Sequence, residues 1–518
     1  MLADFYSAIA RSDDAVRIYK EILSKSPDYL QGRYRLAEIL LAKGDQQGAS
    51  AQVEEAFNKD QHDRQALLLR ARIKAQRGRP DDLKSAVEDL NDVLKQEPNS
   101  RAGLYFMAQI DFSLGRMDEA RAFASELEKN YPEYLPAKLM QMQLRMAGAK
   151  SADYTAVTTL ASDLLTRLDK TAPDRENSPL LLAEIREKTY LTRGNAQLQL
   201  RNVAAARQDF EAAKGIAAND PVIYNSLALA SLAENKPQDA ISSFEQALST
   251  DATNFDALNG LITLYARNQE LDKAHARIDQ ALASYPNLAS LHYLKAQVFG
   301  FQRNPQSLEA ELNKALELDP NYLAAYSALA ALYINSKQED RAIAQYQKII
   351  NLRPENSAPY TLIGMLEGQR KNYDLAVENY RRALEKDPNA MIAANNLAWL
   401  YADAGKGNLD EALRLAQGVV QKNPNIAGFI DTLGWVYYKK NLHTSAIEQL
   451  RKAVSINEAE ARAANISPSA AYHYHLAMAL KGKGDKEESR RELETAIRLS
   501  EKAPFEELED ARKALASM

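Results

Sequence analysis

Residues 296–320 read AQVFGFQRNPQSLEAELNKALELDP, and the pattern in this segment decides the fold. Its last residue belongs to a series of prolines that recur every 34 residues, namely Pro286, Pro320, Pro354 and Pro388. Before each proline, three other positions hold small or apolar residues in a fixed register, as Ala296, Leu308 and Ala315 do in this segment. Marker positions that keep one register over several copies predict a repeat architecture.

The spacing of these markers has a physical cause. Two antiparallel helices that pack closely need small side chains where their backbones cross. Proline cannot continue a helix, because it lacks an N–H and clashes with the preceding turn. The turn between the two helices favours glycine or asparagine, and glycine stands there in Lys43-Gly44-Asp45 and in Leu114-Gly115-Arg116. The repeat is therefore predicted to be a helical hairpin.

This pattern resembles the tetratricopeptide repeat family, whose unit is a helix–turn–helix of 34 residues, and the resemblance covers nearly the whole chain. The small position of the first helix recurs in fourteen units, at Ala3, Ala37, Ala71, Ala108, Met142, Gly194, Ala228, Ile262, Ala296, Ala330, Gly364, Ala398, Gly434 and Ala477. The resemblance implies an all-α fold, a right-handed superhelical solenoid with a C-terminal capping helix.

The small positions are 34 residues apart except for intervals of 37, 52, 36 and 43 residues. The 52-residue interval holds a longer second helix and the polar stretch 169–179, whose two prolines predict a linker or exposed loop. We therefore predict an N-terminal array over residues 1–150, an irregular helix and linker over 151–180, and the main array over 181–503. A capping helix is predicted over residues 504–518.

The two ends of the array differ in pattern. Met1 falls in the middle of a predicted first helix, because Ala3 already holds the small position. A truncated unit exposes apolar surface, so we expect native sequence upstream of Met1. At the other end, residues 504–517 form an amphipathic pattern typical of a genuine C-terminal cap. One face of this pattern carries Phe505, Leu508, Ala511 and Leu515.

Composition narrows the classes of partner. The chain has 518 residues, 46% of them hydrophobic and 26% charged, which argues against wholesale disorder. Its net charge of -5 gives no reason to expect nucleic acid, which requires a clustered basic surface. The absence of cysteine excludes disulfides, thiolate zinc sites and cysteine nucleophiles. No apolar run approaches the length of a membrane span, so a membrane is expected only through a missing N-terminal anchor.

No pattern of residues predicts catalysis. The close histidine pair, His473 and His475, is separated by two positions on a predicted helix and therefore points in divergent directions, which disfavours metal chelation. Serine-hydrolase, zinc-protease and phosphate-loop motifs are absent from the sequence. We expect a binding protein that is not an enzyme, with no catalytic residue, no metal and no cofactor.

In the tetratricopeptide family the first helices line a concave groove that takes a peptide or protein segment. In the middle repeats the corresponding positions hold few aromatic or charged residues. Asn225 and Asn259 are not followed by the lysines with which some family members bind a C-terminal carboxylate. The C-terminal repeats are richer in aromatic residues at these positions. The resemblance therefore implies a partner-binding groove formed by Asn395, Trp399, Asp431, Trp435, Tyr438, Tyr474 and Met478.

Both tryptophans of the chain, Trp399 and Trp435, occupy the same repeat position. They either fill gaps between adjacent hairpins or face an open groove, where tryptophan is a frequent hot spot of binding. The sequence leaves both arrangements open. Exposed rings would also stack on sugars, so polysaccharide stands beside protein or peptide segments as a predicted ligand.

A narrower resemblance concerns residues 393–499. The runs Asn395–Tyr401 and Asp431–Lys440 are similar to the C-terminal repeats of bacterial tetratricopeptide lipoproteins associated with exosortase-type (PEP-CTERM) sorting and exopolysaccharide production. This similarity implies a scaffold of the periplasm or cell envelope, in export, sorting or exopolysaccharide assembly. A cytoplasmic adaptor or regulator and a direct glycan-binding protein are the two alternatives.

Overall fold

A computed structural model describes residues 2–8, 11–147, 151–174 and 177–518 of the chain. In these residues all regular secondary structure is helical, and the chain divides into two compact units, residues 1–267 and 268–518. The boundary lies outside the predicted linker at 151–180. The predicted limits at 150, 180 and 503 stay predictions.

Fifteen helices lie in the described part of the first unit. They are α1 (Leu2–Ala8), α2 (Ser12–Lys25), α3 (Leu30–Ala42), α4 (Gln46–Phe57), α5 (Arg64–Arg77), α6 (Pro80–Gln96), α7 (Arg101–Ser113), α8 (Met117–Asn130), α9 (Leu135–Met146), α10 (Ser151–Lys170), α11 (Pro179–Gln199), α12 (Val203–Ile216), α13 (Pro221–Ala233), α14 (Pro237–Thr250) and α15 (Phe255–Arg267).

Fourteen helices lie in the second unit, all of whose residues are described. They are α16 (Leu271–Ser284), α17 (Ala289–Phe301), α18 (Pro305–Leu318), α19 (Leu323–Asn335), α20 (Glu339–Leu352), α21 (Ser357–Gln369), α22 (Tyr373–Lys386), α23 (Met391–Ala402), α24 (Leu409–Lys422), α25 (Ala427–Lys439), α26 (His443–Ala464), α27 (Ala470–Lys483), α28 (Lys486–Ser500) and α29 (Leu508–Ala516).

The predicted small positions lie at the centre of this packing. All fourteen fall on odd-numbered helices, from α1 to α27, and all fourteen are buried. Where the position is glycine, an aromatic ring can replace the missing side chain. A Cβ on Gly194 would lie 2.4 Å from Cε1 of Phe210, and one on Gly364 would lie 2.7 Å from Cε1 of Tyr380. The all-α solenoid of helical hairpins is thereby confirmed within each unit.

The turn inside the hairpin is as regular as the helices. Seven residues after the small position, the backbone takes the left-handed conformation in twelve units, with φ between 55° and 97°. Glycine holds this position at Gly44, Gly78, Gly115, Gly405 and Gly484. In the other units the residues are Arg201, Asn235, Gln269, Arg303, Lys337, Lys371 and Asn441. The fold therefore requires the backbone conformation and accepts side chains that adopt it at a cost.

The longest interval between small positions contains two long helices. Residues 151–170, for which the sequence predicts an irregular helix, form the regular helix α10, which packs against α9 and α11. Met142, Leu164 and Ile185 belong to one buried cluster that joins these three helices. Of the predicted linker, Arg175 and Glu176 lie outside the described residues.

The C-terminal helix α29 packs on the preceding hairpin, α27 and α28. Its buried residues are Ala511 and Ala514, and the Lys481 ammonium of α27 donates to the Ala514 carbonyl at 3.3 Å. The helix spans Leu508–Ala516, within the range predicted for the cap. Among the described residues, no helix combines the length and the apolar character that crossing a membrane would require.

Candidate functional site

A cavity of about 630 Å³ opens in the second unit, beside the helices α21, α23, α25 and α27. We call it the aromatic cavity. Its lining residues are Met365, Gly368, Gln369, Tyr373, Tyr380, Asn396, Trp399, Leu400, Asp403, Ala404, Trp435, Tyr438, Lys439, Tyr474, Met478, Glu506, Glu507 and Asp510. The last three come from the segment that leads into α29 and from its first turn, so the cap forms one side of the cavity.

The repeat itself aims side chains into the cavity. Met365, Trp399, Trp435 and Met478 each follow the small position of their helix by one residue. Adjacent first helices contact one another along this series, from α21 through α23 and α25 to α27. Equivalent positions on stacked helices therefore converge on one surface, as the groove prediction requires.

The aromatic rings of the cavity form a continuous cluster around Trp435. Its ring centroid lies 6.0 Å from that of Trp399 and 4.8 Å from that of Tyr438, with interplanar angles of 20° and 28°. Tyr474 lies 6.2 Å from Trp435 and 6.0 Å from Phe505, which extends the cluster to the cap. Such ring pairs stabilise beyond the area they bury, so the cluster forms a continuous, packed aromatic wall.

The two tryptophans differ in exposure. Trp435 is only 4% exposed, and its Nε1 donates a hydrogen bond to Oδ1 of Asp403 at 3.0 Å. Trp399 is partly exposed. Trp435 therefore packs between hairpins, and only a small part of its surface lines the cavity. Trp399 offers the larger accessible surface.

Beneath the rings lies a buried charged group. Both carboxylate oxygens of Asp431 lie 2.9 Å from Nδ1 of His475, and both residues are buried. Glu507 lies on the other side of the imidazole, 3.9 Å from Nε2. Burial alone would lower the pKa of His475, but the carboxylates of Asp431 and Glu507 outweigh it and raise that pKa to about 9. The imidazolium in turn lowers the pKa of Glu507 against the effect of burial.

The rim of the cavity is acidic. Asp403, Glu506 and Asp510 are exposed carboxylates on it, and Glu507 is partly buried between the rim and His475. Lys439 is the one lysine among the lining residues, and its Nζ lies 5.0 Å from the Trp435 ring centroid and 3.4 Å from Oδ1 of Asp403. The site thus joins aromatic faces to negative charge.

Five of the seven predicted groove residues line the cavity: Trp399, Trp435, Tyr438, Tyr474 and Met478. Asn395 and Asp431 do not line it. Asn395 donates through Nδ2 to Oδ1 of Asn396 at 3.3 Å, while Asp431 holds His475 below the rings. Whether the five residues bind a partner stays a prediction.

Sequence reasoning missed His475, Glu507 and the acidic rim. The histidine pair does diverge, since Nδ1 of His473 contacts Glu492 at 2.7 Å and His475 contacts Asp431. No signal for the Asp431–His475 pair was present in the sequence, because Asp431 stands three residues before the small position Gly434 and His475 stands two residues before Ala477, so they do not share a repeat position.

Two further cavities, of about 580 and 590 Å³, lie in the first unit. They share Arg72, Ala102 and Phe106 as lining residues. The lining of the first cavity also includes the acidic residues Glu38, Asp63 and Glu97 and the basic residue Arg64, so it carries charges of both signs. Neither contains tryptophan, and neither has the one-sided charge of the aromatic cavity.

Comparison with known proteins gives one repeat family. Three profiles described as tetratricopeptide repeat match the chain, the first at residues 11–73, 231–298 and 309–366. The second matches residues 68–134 and 361–427, and the third matches 429–460 and 470–502. Together these matches cover most of the chain, including most or all of α21, α23, α25 and α27. No curated protein sequence matches it.

Similar solved structures are found at low sequence identity and with TM-scores below 0.5. The APC/C hetero-tetramer Cut9–Hcn1 is 15% identical with a TM-score of 0.42, over 99% of this chain and 94% of that chain. Yeast Tom70 is 15% identical with a TM-score of 0.39, over 89% and 97%. The human IFIT1 dimer with m7Gppp-AAAA is 16% identical with a TM-score of 0.36, over 75% and 90%.

Proposed function

The chain belongs to the tetratricopeptide repeat family, and we propose that this scaffold binds an extended segment of a partner protein in the aromatic cavity of its second unit. Members of the family are typically non-enzymatic scaffolds and adaptors that bind proteins or peptides. One observation carries the proposal: successive first helices direct Met365, Trp399, Trp435 and Met478 into a single cavity.

The composition of the cavity suits a protein ligand. Tryptophan and tyrosine offer large contact areas at a low cost in conformational entropy, and tryptophan, tyrosine and methionine are all enriched at interfaces. The Trp435 ring is already packed and hydrogen-bonded to Asp403, so its ordering adds little to the entropic cost of binding. The volume of about 630 Å³ is within the range of sites that enclose a few side chains.

Site-specific photo-cross-linking in the native host tests this proposal on the full chain. A benzophenone amino acid replaces Met365, which lines the cavity and is 36% exposed. The control carries it at Leu229, which is 51% exposed and follows the small position Ala228 by one residue in the first unit. We expect an adduct at position 365 that maps to one short segment of one partner, and no such adduct at position 229.

A second variant tests whether the adduct at position 365 depends on the cavity. Trp399→Ala removes the most accessible ring and should abolish the adduct at position 365 while the protein still melts cooperatively. Equal adducts at positions 365 and 229, or an adduct that is unaffected by Trp399→Ala, would contradict binding in the cavity. The absence of any adduct at position 365 would also contradict it.

We propose in addition that the scaffold serves the bacterial cell envelope, in export, sorting or exopolysaccharide assembly. The support is the similarity of residues 393–499 to the envelope lipoproteins, in particular the runs Asn395–Tyr401 and Asp431–Lys440. Protease added to spheroplasts of the host should degrade an envelope protein and spare a cytoplasmic control. Protection equal to that of the control would favour the cytoplasmic adaptor instead.

Direct binding of glycan is the second candidate, and the partly exposed ring of Trp399 beside the Asp403 carboxylate favours it. A sugar ring would stack on the indole, and its hydroxyl groups would donate hydrogen bonds to the carboxylate. Titration with polysaccharide fragments, followed by tryptophan fluorescence, tests this candidate. Unchanged fluorescence at millimolar fragment would exclude it.

A further inference from the structure

We infer that the aromatic cavity selects a basic side chain, above all arginine, from the partner segment. This inference rests on the proposed function, because it specifies the chemistry of the ligand at that same site. It goes beyond the general binding of peptides by the fold, since it names the charge and shape of the group that enters the cavity.

The charges on the lining favour a cation. Four carboxylates, those of Asp403, Glu506, Glu507 and Asp510, line the cavity together with the single ammonium of Lys439. Glu507 lies 3.9 Å from Nε2 of the buried His475, which offsets its charge. The three other carboxylates lie on the exposed rim, where Oδ1 of Asp403 already accepts from Trp435 while Glu506 and Asp510 face a ligand that approaches from solvent.

The present partners of Glu506 and Asp510 are easily displaced. Glu506 pairs with Lys371 at 2.7 Å, but the two side chains are 73% and 67% exposed. Asp510 pairs at 3.4 Å with Lys513, which is also exposed. Such surface pairs contribute little, because water screens them and both side chains lose rotamer freedom. A guanidinium can replace them with bidentate hydrogen bonds that a single ammonium does not form.

The cavity already binds one cation of its own chain. The Lys439 ammonium lies 5.0 Å from the centroid of the Trp435 ring, within the range of a cation–π contact, and 3.4 Å from Asp403. The site therefore has the two elements that recognise a cation, an aromatic face and a nearby carboxylate. Trp399 provides a second aromatic face with more exposed surface. Asp403 directly follows α23, which carries Trp399, and it is hydrogen-bonded to Trp435 on α25.

Other ligand chemistries fit the cavity less well. An anionic group, such as a free C-terminal carboxylate, would meet repulsion from three rim carboxylates. A purely apolar side chain would bury part of these carboxylates without a partner, which costs free energy. A basic side chain satisfies the carboxylates with its charge and the rings with its flat or methylene surface.

Intrinsic fluorescence offers a direct test on the full chain, because its only two tryptophans, Trp399 and Trp435, both line the cavity. The probe is the peptide acetyl-Gly-Arg-Gly-Arg-Gly-amide. Its control is the same peptide with citrulline for arginine, which keeps the shape and removes the charge. We expect the arginine peptide to change the fluorescence at millimolar concentration and to bind about tenfold more tightly than the citrulline peptide.

Charge variants separate a site from a general attraction. The triple variant D403N/E506Q/D510N removes the rim charges and should weaken binding of the arginine peptide about tenfold. The matched triple E355Q/D374N/D410N removes three exposed, lysine-paired carboxylates of the same unit that do not line the cavity. It should leave binding within about twofold of wild type. Lys439→Gln removes the internal cation and should strengthen binding several-fold.

Equal affinity for the arginine and citrulline peptides would overturn the inference, as would equal weakening by the two triple variants. Unchanged fluorescence with the arginine peptide at millimolar concentration would also overturn it. The cross-link at position 365 is read independently of these titrations. If it persists while the charge selectivity is absent, the inference fails and the proposed function stands.

Discussion

The indole Nε1 of Trp435 donates a hydrogen bond to the carboxylate of Asp403 at 3.0 Å, and this bond joins the first helix of one hairpin to the turn of the hairpin before it. Trp435 therefore links two repeats as well as lining the aromatic cavity.

Trp435→Ala should destabilise the second unit by about 3–5 kcal/mol, because the ring is almost fully buried and its loss leaves a cavity. Trp399→Ala should cost less, roughly 1–3 kcal/mol, because part of that ring already faces solvent. Urea unfolding followed by far-UV circular dichroism measures both values. Equal losses of stability would contradict the different exposure of the two rings.

Lys337→Gly should stabilise the second unit by about 1 kcal/mol. Lys337 has φ 55° in the turn between α19 and α20, a conformation that costs side chains free energy and costs glycine little. Gly405→Ala, at the same repeat position with φ 65°, should have the opposite effect. Thermal melts of the two variants check the signs, and a destabilised Lys337→Gly would contradict the role of the backbone at this position.

Stability of the second unit should fall as the pH rises from about 6.5 to beyond 9. The folded-state pKa of His475, about 9, lies above its ordinary value of 6.5, because Asp431 and Glu507 stabilise the imidazolium. Its contribution is therefore complete below pH 6.5 and is lost as the pH passes 9, a change on the order of 3 kcal/mol. Urea unfolding at several pH values measures this loss.

His475→Gln is the control for the pH dependence. The variant is less stable at neutral pH, because Asp431 loses its buried counter-ion, but its stability should vary little between pH 6.5 and 9. The same fall with pH in the variant as in the wild type would assign the effect to other groups.

Ala511→Glu should release α29 from the hairpin of α27 and α28. Ala511 is fully buried, so a carboxylate there would lose its hydration without a partner and cost about 2–4 kcal/mol. Hydrogen exchange of residues 508–516 should become fast. Because Glu507 precedes this helix, we also expect a lower pKa of His475, measured by NMR titration. Ala516→Glu, on the exposed side of the same helix, should change neither quantity.

The sequence by itself determined the period and therefore the fold. Local helix geometry explains the small positions from Ala3 to Ala477, the turn seven residues later and the prolines that end helices. These features recur at fixed intervals in the sequence because each hairpin has the same geometry. It also indicated five of the cavity residues, because Trp399 and Trp435 share a repeat position that the family directs toward its groove.

Only the tertiary structure decided which residues meet across repeats. Asp431 and His475 lie on either side of the long helix α26, which falls in the 43-residue interval between small positions, and Glu507 comes from a cap outside the period, so no fixed spacing predicts their contact. The burial of Trp435 beside the more exposed Trp399 likewise depends on how adjacent hairpins pack around each ring. Periodicity encodes the geometry of one hairpin, whereas these contacts depend on the angles and offsets between hairpins, which every side chain at the interface helps to set.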